Sequence, residues 1–305
     1  MIIDTHQHVF WYGKDDKGLI ADMDEQGIDL CWLLTWDIPP SEDVGWHVFN
    51  SVHVRPDGTH PGLPLCDVIT AKQHYPDRFI IGYCPNPIIK GAAERFEKAY
   101  HMHGIRVCGE WKLRMLVDDP RSIELFRKAG ELKCPVVIHL DVPYLFDVEK
   151  GEMVYQPNWY GGTIDNLERA MQLCPKTIFL GHAAGFWREI SGDADKDPCF
   201  TPTGPVVDGG RLARLLEDYS NLYGDLSAGS ALNALLRDSK YAKKFLCKFA
   251  DRLCFARDYF GSELHTFLQS LDLPEDVQKK IYSGNAQRLM AQEPIDLELP
   301  SLIAT

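Results

Sequence analysis

Short apolar, β-branched runs recur along the chain at Met1–Asp4, Leu30–Thr35, Phe79–Tyr83, Ile105–Cys108, Val136–Leu140, Thr177–Leu180, Leu222–Leu226 and Arg252–Ala256. Between most of them the apolar period changes. Asp119–Leu132 opens with Asp-Pro and sets Ile123, Phe126 and Leu132 near one face, which predicts a helix. Thr163–Leu173 does the same with Ile164, Leu167, Met171 and Leu173. Gly91–Met102, Arg211–Tyr219, Ser239–Phe249 and Glu275–Tyr282 also read as amphipathic helices. Eight short apolar strands alternating with helices predict an α/β fold with a parallel sheet covered on both faces. Eight units in 305 residues predict a single (β/α)8 barrel of TIM type over residues 1–305. Alternation alone leaves an open doubly wound sheet as the competing arrangement. No fixed-period sequence repeat and no linker-like change of composition interrupts the chain.

Three connections are long: Trp36–Pro64 after strand two, Asp141–Gly162 after strand five, and Ala183–Gly210 after strand six, with a polar run at Ser191–Pro198. Loops at the carboxyl end of a barrel are where substrate specificity is built. Aromatic residues stand in or beside such loops: Trp11, Tyr12, Trp36, Trp46, Trp159, Tyr160, Phe186 and Trp187. They either line an apolar substrate pocket or pack loop on barrel.

Composition narrows the class. Lys and Arg total 32 against 44 Asp and Glu, a formal charge of −12. That balance weighs against a nucleic-acid or anionic-membrane binder. Apolar residues, at 45%, supply enough surface for a packed core, so disorder is excluded as the main state. No apolar stretch approaches the roughly 18 residues of a membrane span. The start, MIIDTHQH, carries neither a basic nor an apolar leader region. The nine cysteines are scattered without a CxxC pair. They read as reduced thiols of a cytoplasmic protein, not as a disulfide framework or a cysteine–zinc cluster.

The chemistry lies where the apolar runs stop. The first runs into Asp4-Thr5-His6-Gln7-His8, and residues two apart on a strand share a side, so His6 and His8 face the barrel interior together. The fourth runs into Glu110, with Lys112 two residues on. The fifth runs into His139, the sixth into His182, and the eighth into Asp258. Ending an apolar strand on a charge is costly unless the charge has a partner. Brought into one ring, these ends make a metal site with an acid/base group beside it. Each residue alone also has a structural reading. His139 fits a hydrogen-bonded core imidazole, His182 a turn, Asp258 a helix cap, and Glu110 with Lys112 a simple ion pair. Asp225, on the seventh run, reads as a structural or supporting acid. Asp4 shares the parity of His6 and His8 and is a candidate support for their rings.

With these residues in this order, the chain resembles the amidohydrolase superfamily, above all its amidohydrolase-2 branch. That branch holds metal-dependent hydrolases and non-oxidative decarboxylases such as aminocarboxymuconate semialdehyde decarboxylase. Leu180-Gly181-His182 and the segment Tyr282-Ser283-Gly284-Asn285-Ala286-Gln287-Arg288-Leu289 support the resemblance, which spans His6 to Arg288. It implies His6, His8 and His139 as metal ligands. Asp258 becomes a ligand and the base that takes a proton from water, and His182 the neighbouring acid/base. Some relatives carry a strand-four Glu or a modified Lys as a ligand. Glu110 therefore joins the candidate metal set, on the same ion, bridging a second, or paired with Lys112. Strand eight departs from the branch's Gly-Thr/Ser-Asp pattern with Ala256-Arg257-Asp258. The expected cofactor is one divalent ion, Zn2+, with a second left open. The expected reaction is hydrolysis of an amide, ester or lactone in a small molecule. The alternatives are decarboxylation of an aromatic or muconate-like acid, with Lys112 or Arg188 holding the carboxylate, and a non-catalytic metal- or ligand-binding barrel. A homo-oligomer is implied by resemblance alone.

Overall fold

The computed structural model describes residues 1–38 and 62–291. Eight strands follow one another as β1 (Ile3–Gln7), β2 (Leu30–Leu33), β3 (Phe79–Ile81), β4 (Cys108–Trp111), β5 (Val136–His139), β6 (Phe179–His182), β7 (Leu222–Asp225) and β8 (Leu253–Cys254). Parallel ladders join β1, β2 and β3 in one run, and β4 through β8 in chain order in another. Hydrogen bonds carry the ring across both gaps. Arg106 N–H donates to the Ile81 carbonyl at 3.0 Å and Tyr83 N–H to Val107 at 2.9 Å. On the other side Thr5 N–H donates to Phe255 at 3.0 Å and Asp258 N–H to His6 at 2.8 Å. The sheet thus returns to its first strand, as the expected (β/α)8 barrel requires.

α1 (Asp16–Glu25), α2 (Leu65–His74), α3 (Ala92–His103), α4 (Pro120–Glu131) and α5 (Ile164–Leu173) follow the first five strands. The remainder are α6 (Ala184–Trp187), α7 (Arg211–Asp218), α8 (Ala228–Leu236), α9 (Ser239–Lys248), α10 (Glu263–Ser270), α11 (Glu275–Lys279) and α12 (Asn285–Met290). The six helices expected from the apolar period are present as α3, α4, α5, α7, α9 and α11, and six more accompany them among the described residues. Asp119 caps α4 by accepting the Arg121 N–H, with Pro120 in the first turn, where its missing N–H matters least. Thr163 and Asn166 form a reciprocal capping box at α5.

Strand alternation sorts the core into two layers. On β5, Val136 and Ile138 pack outward with the helices, whereas Val137 joins Leu180, Tyr223, Ile3 and Trp32 inside the barrel. His139 comes two residues after Val137, and His182 two after Leu180. Both imidazoles therefore sit above the apolar plug at the carboxyl end.

Several expectations shift. The first strand, expected at Met1–Asp4, lies at Ile3–Gln7, and the fourth, expected at Ile105–Cys108, lies at Cys108–Trp111. In both, the pairing register slips, between Asp4 and Gln7 and between Cys108 and Trp111. An extra residue in a ladder breaks the two-residue alternation on which parity arguments rest. The expected helix Glu275–Tyr282 stops at Lys279, and a wider turn over Lys280–Gly284 leads into α12. Within the loop after β5, Tyr144–Asp147 pairs with Glu152–Tyr155 as an antiparallel hairpin. All nine cysteines are free thiols. Among the described residues, no helix is long and apolar enough to cross a membrane.

Candidate metal and active site

Glu110 is the centre of the cluster. Its Oε1 lies 2.8 Å from His139 Nδ1 and 2.8 Å from His182 Nε2. Its Oε2 lies 3.5 Å from His8 Nε2 and 4.0 Å from His6 Nε2. Asp258 closes the other side, with Oδ1 at 3.2 Å from His8 Nε2 and 3.5 Å from His6 Nε2. The six side chains singled out in the sequence therefore meet. Five of them divide around Glu110 into two candidate ligand groups, His6–His8–Glu110 and Glu110–His139–His182, with Asp258 beside the first. The sequence treated Glu110 as an optional addition to a shell of His6, His8, His139 and Asp258. The structure puts it between them.

The rings are oriented from behind. Asp225 Oδ2 stands 2.8 Å from His6 Nδ1, and the Leu34 carbonyl 2.9 Å from His8 Nδ1. A carboxylate and a carbonyl only accept, so each Nδ1 carries its proton. Each Nε2 of a neutral ring then presents a lone pair to the cluster, the arrangement that imidazole ligands of metals use. His6 Nε2 is fully buried and has no hydrogen-bond partner among the described residues. Its neighbours are two carboxylates. Imidazole lone pairs and carboxylate oxygens facing one buried point repel one another unless a cation lies between them. The residues fit a divalent ion.

Without such an ion the cluster holds protons instead. Burial opposes charge on His6, yet Asp258 and Asp225 outweigh it and hold the ring protonated up to about 10. Burial likewise opposes His8, and hydrogen bonds to Asp258 and Glu110 push it up. Burial and Lys112 pull His139 down, but Asp141 and Glu110 win. Burial alone would raise Glu110; the Lys112 charge and the His139, His182 and His8 hydrogen bonds hold it well below the carboxylate range. Against burial, the His6 and His8 charges keep Asp258 low. His182 is the exception: burial and the His6 charge push it down, so it is neutral. Its Nε2–H points to Glu110, and Nδ1 lies 3.2 Å from Ser227 Oγ.

Asp4 corrects one expectation. It does not support the imidazole rings, because the register slip in β1 removes the shared parity. It instead accepts from Arg257 Nε at 2.7 Å, and Arg257 Nη1 reaches Asp22 on α1 at 2.8 Å. Asp258, the next residue, has φ of +51°, a left-handed conformation that Asp tolerates better than most residues. Its N–H is pinned to the His6 carbonyl.

Two contributors escaped the sequence reading. Asp141 lies 3.1 Å from His139 Nε2, and Ser227 bonds His182. Each follows a named residue by two, Asp141 after His139 and Ser227 after Asp225, and that spacing was the available signal. Lys112 stands 4.2 Å over the Trp36 ring and 5.6 Å from the Tyr160 ring. Trp11 packs 5.4 Å from His8, and Tyr160 5.7 Å from His139. Trp11, Trp36 and Tyr160 form a separate apolar group at the mouth. Phe186 and Trp187 are core residues instead, and Trp46 lies outside the described residues.

Among curated proteins, none matches this sequence. Solved structures of similar fold cover nearly all of it. An uncharacterized TIM-barrel protein from Bordetella bronchiseptica is 17% identical with a TM-score of 0.63, over 95% of this chain and 98% of that one. A dihydroxybenzoic acid decarboxylase from a Polaromonas species, with bound manganese and 2-nitroresorcinol, is 15% identical with a TM-score of 0.57, over 95% and 96%. A 2-pyrone-4,6-dicarboxylic acid hydrolase, so assigned provisionally, from Pseudomonas putida is 14% identical with a TM-score of 0.57, over 95% and 97%. These likenesses establish the barrel. The Amidohydrolase profile of the Amidohydro_2 branch matches residues 3–290, and the chain belongs to that family.

Proposed function

We propose that the protein is a metal-dependent hydrolase that cleaves an amide, ester or lactone bond of a small molecule. The observation that supports this best is the pair of ionised carboxylates, Glu110 and Asp258, facing the Nε2 edges of His6 and His8 at one buried point. His6, His8, Glu110 and Asp258 would hold a divalent ion, Zn2+ by ligand type, with His139 across Glu110. Such an ion supplies Lewis acidity that brings the pKa of water from 15.7 toward about 7. Asp258 keeps its carboxyl ionised and is the base that accepts a proton from the attacking water. Neutral His182 gives its one N–H to Glu110; turned from Glu110, that N–H would serve the oxygen on which negative charge develops, a role worth roughly 10²–10⁴-fold. Glu110 holds His139 and His182 in place. Trp11, Trp36 and Tyr160 exclude water at the mouth. The free thiols suit a reducing cytoplasm.

Decarboxylation is the second reading, and one observation favours it. Lys112 is a cation beside Glu110, Asp258 and Asp141, backed by the Trp36 and Tyr160 rings, where it would meet a substrate carboxylate. The Polaromonas likeness is to a decarboxylase.

The deciding experiment uses the metal-loaded protein on a panel of lactones, amides, esters and carboxylated phenols, following acid production and carbon dioxide release separately. Hydrolysis that falls at least 100-fold in Asp258→Asn supports the proposal. Carbon dioxide release without hydrolysis moves the assignment to the second reading. Full activity in Asp258→Asn refutes its role as base.

A further inference from the structure

Two arginines outside the imidazole–carboxylate cluster line one small cavity between the loop after β6 and α8. Arg188 ends α6 and is 5% exposed. Arg237 ends α8, and its side chain is 2% exposed. Both tie down the irregular stretch that roofs the cavity. Arg188 donates through Nη2 to the carbonyls of Ala194 and Asp197. Arg237 donates through Nε to the Gly204 carbonyl at 2.6 Å and through Nη2 to that of Pro205 at 3.2 Å. The Nη1 atom of each guanidinium is buried and has no hydrogen-bond partner among the described residues.

The acidic residues nearby are already engaged. Asp195 is held by Arg211 at 2.6 Å, and the Asp197 carboxylate accepts the Cys199 N–H at 2.8 Å. Asp193 takes the Ser191 hydroxyl and stands 3.6 Å from Arg237 Nη2. None of them reaches either Nη1. Thr201, Ser230 and Asn233 complete a polar lining. Phe200 and Thr201, in the roof, are exposed, so the cavity is reached from solvent. Buried donors without acceptors are rare in folded proteins, and a guanidinium is the donor best shaped for an oxyanion.

The geometry points to an oxyanion-binding site, in which Arg188 and Arg237 together take a carboxylate or phosphate group of a small molecule. The cavity measures about 10 Å³, room for one water-sized atom, which suits a single oxygen of such a group entering under the loop. The site adjoins the catalytic cluster. Ala184 lies two residues past His182, and Ser230 Oγ donates to the carbonyl of Ser227, the residue that bonds His182. The inference stands whether the reaction is hydrolysis or decarboxylation.

Isothermal titration of the full chain with inorganic phosphate and with sodium acetate tests it, on metal-loaded and on chelator-treated protein. Wild type binds at least one probe saturably in both forms. Arg188→Gln and Arg237→Gln each weaken that binding about tenfold or more. Because both arginines also hold the loop, Asn233→Asp serves as a second variant; the residue is exposed, and a carboxylate there opposes the anion by a similar factor. Preference for acetate assigns a carboxylate ligand and preference for phosphate a phosphoryl ligand, and either supports the site. Absence of saturable binding to wild type overturns it. Binding that survives all three variants, or that disappears with the metal, also overturns it, because the anion then sits on the imidazole cluster.

Discussion

Asp225→Asn separates ring orientation from ligation. In the wild type, Asp225 Oδ2 meets His6 Nδ1 at 2.8 Å, and Oδ1 accepts the Ser227 N–H at 2.9 Å. Asparagine has one oxygen to serve both contacts. If that oxygen keeps the Ser227 bond, the amide NH2 faces His6 Nδ1. The ring must then carry its proton on Nε2, which blocks the lone pair that faces Asp258 and Glu110. If the amide turns over, the Ser227 N–H is left buried without its acceptor, at about 1–3 kcal/mol. Either way the loss is the tautomer or one buried hydrogen bond. Carboxylates behind metal-binding imidazoles are typically worth 10–100-fold in metal affinity. That range corresponds to about 1.4–2.7 kcal/mol. The assay is competition for Zn2+ against a chromophoric chelator at pH 7.5, with wild type, Asp225→Asn and His8→Ala side by side, and circular dichroism as the folding control. The expected order is wild type, then Asp225→Asn weaker by 10–100-fold, then His8→Ala weaker still. Affinity in Asp225→Asn within twofold of wild type, with His8→Ala impaired, would refute the claim that this contact fixes the His6 ring.

Other expectations follow from particular contacts. Purified protein is expected to carry about one divalent ion per chain by elemental analysis, lost in the His6→Ala/His8→Ala double variant; two ions would assign Glu110 as a bridge between the two candidate groups. Arg257→Met strands the buried Asp4 carboxylate, leaves Asp22 with Lys14 alone, and is expected to destabilise by about 3–5 kcal/mol in urea unfolding; adding Asp4→Asn recovers part of the loss, and strict additivity would count against the coupling. Gly185→Ala drives a Cβ to 2.1 Å from the Asp141 carbonyl oxygen, so it shifts the segment that carries His139 and Asp141 and lowers both the midpoint of thermal unfolding and activity. Asp119→Ala removes the α4 cap and costs about 1 kcal/mol at pH 7. The Arg121 hydrogen bond lowers the Asp119 carboxyl from its usual 3.8. Its contribution is therefore complete above that value and fades as pH falls through the lower folded one, so wild type and variant converge in strong acid.

The sequence by itself pointed to the barrel, ahead of an open doubly wound sheet, and to most of the residues of the candidate site. Period-2 runs alternating with period-3.6 runs leave few ways to cover a parallel sheet. An imidazole or carboxylate that ends an apolar strand has only the barrel mouth to go to. That argument is local, and it located His6, His8, Glu110, His139, His182 and Asp258. Tertiary structure decided what each of them faces. Two register slips, in β1 and β4, send Asp4 back to Arg257 and set Glu110 between four imidazoles, and an extra residue in a ladder leaves no mark in the hydrophobic pattern. The Leu34 carbonyl behind His8, Asp225 behind His6 and Ser227 behind His182 belong to other strands or their loops, and only ring closure brings them near. The open Nη1 atoms of Arg188 and Arg237 depend on which carbonyls a patternless loop happens to offer, and composition carries no record of that.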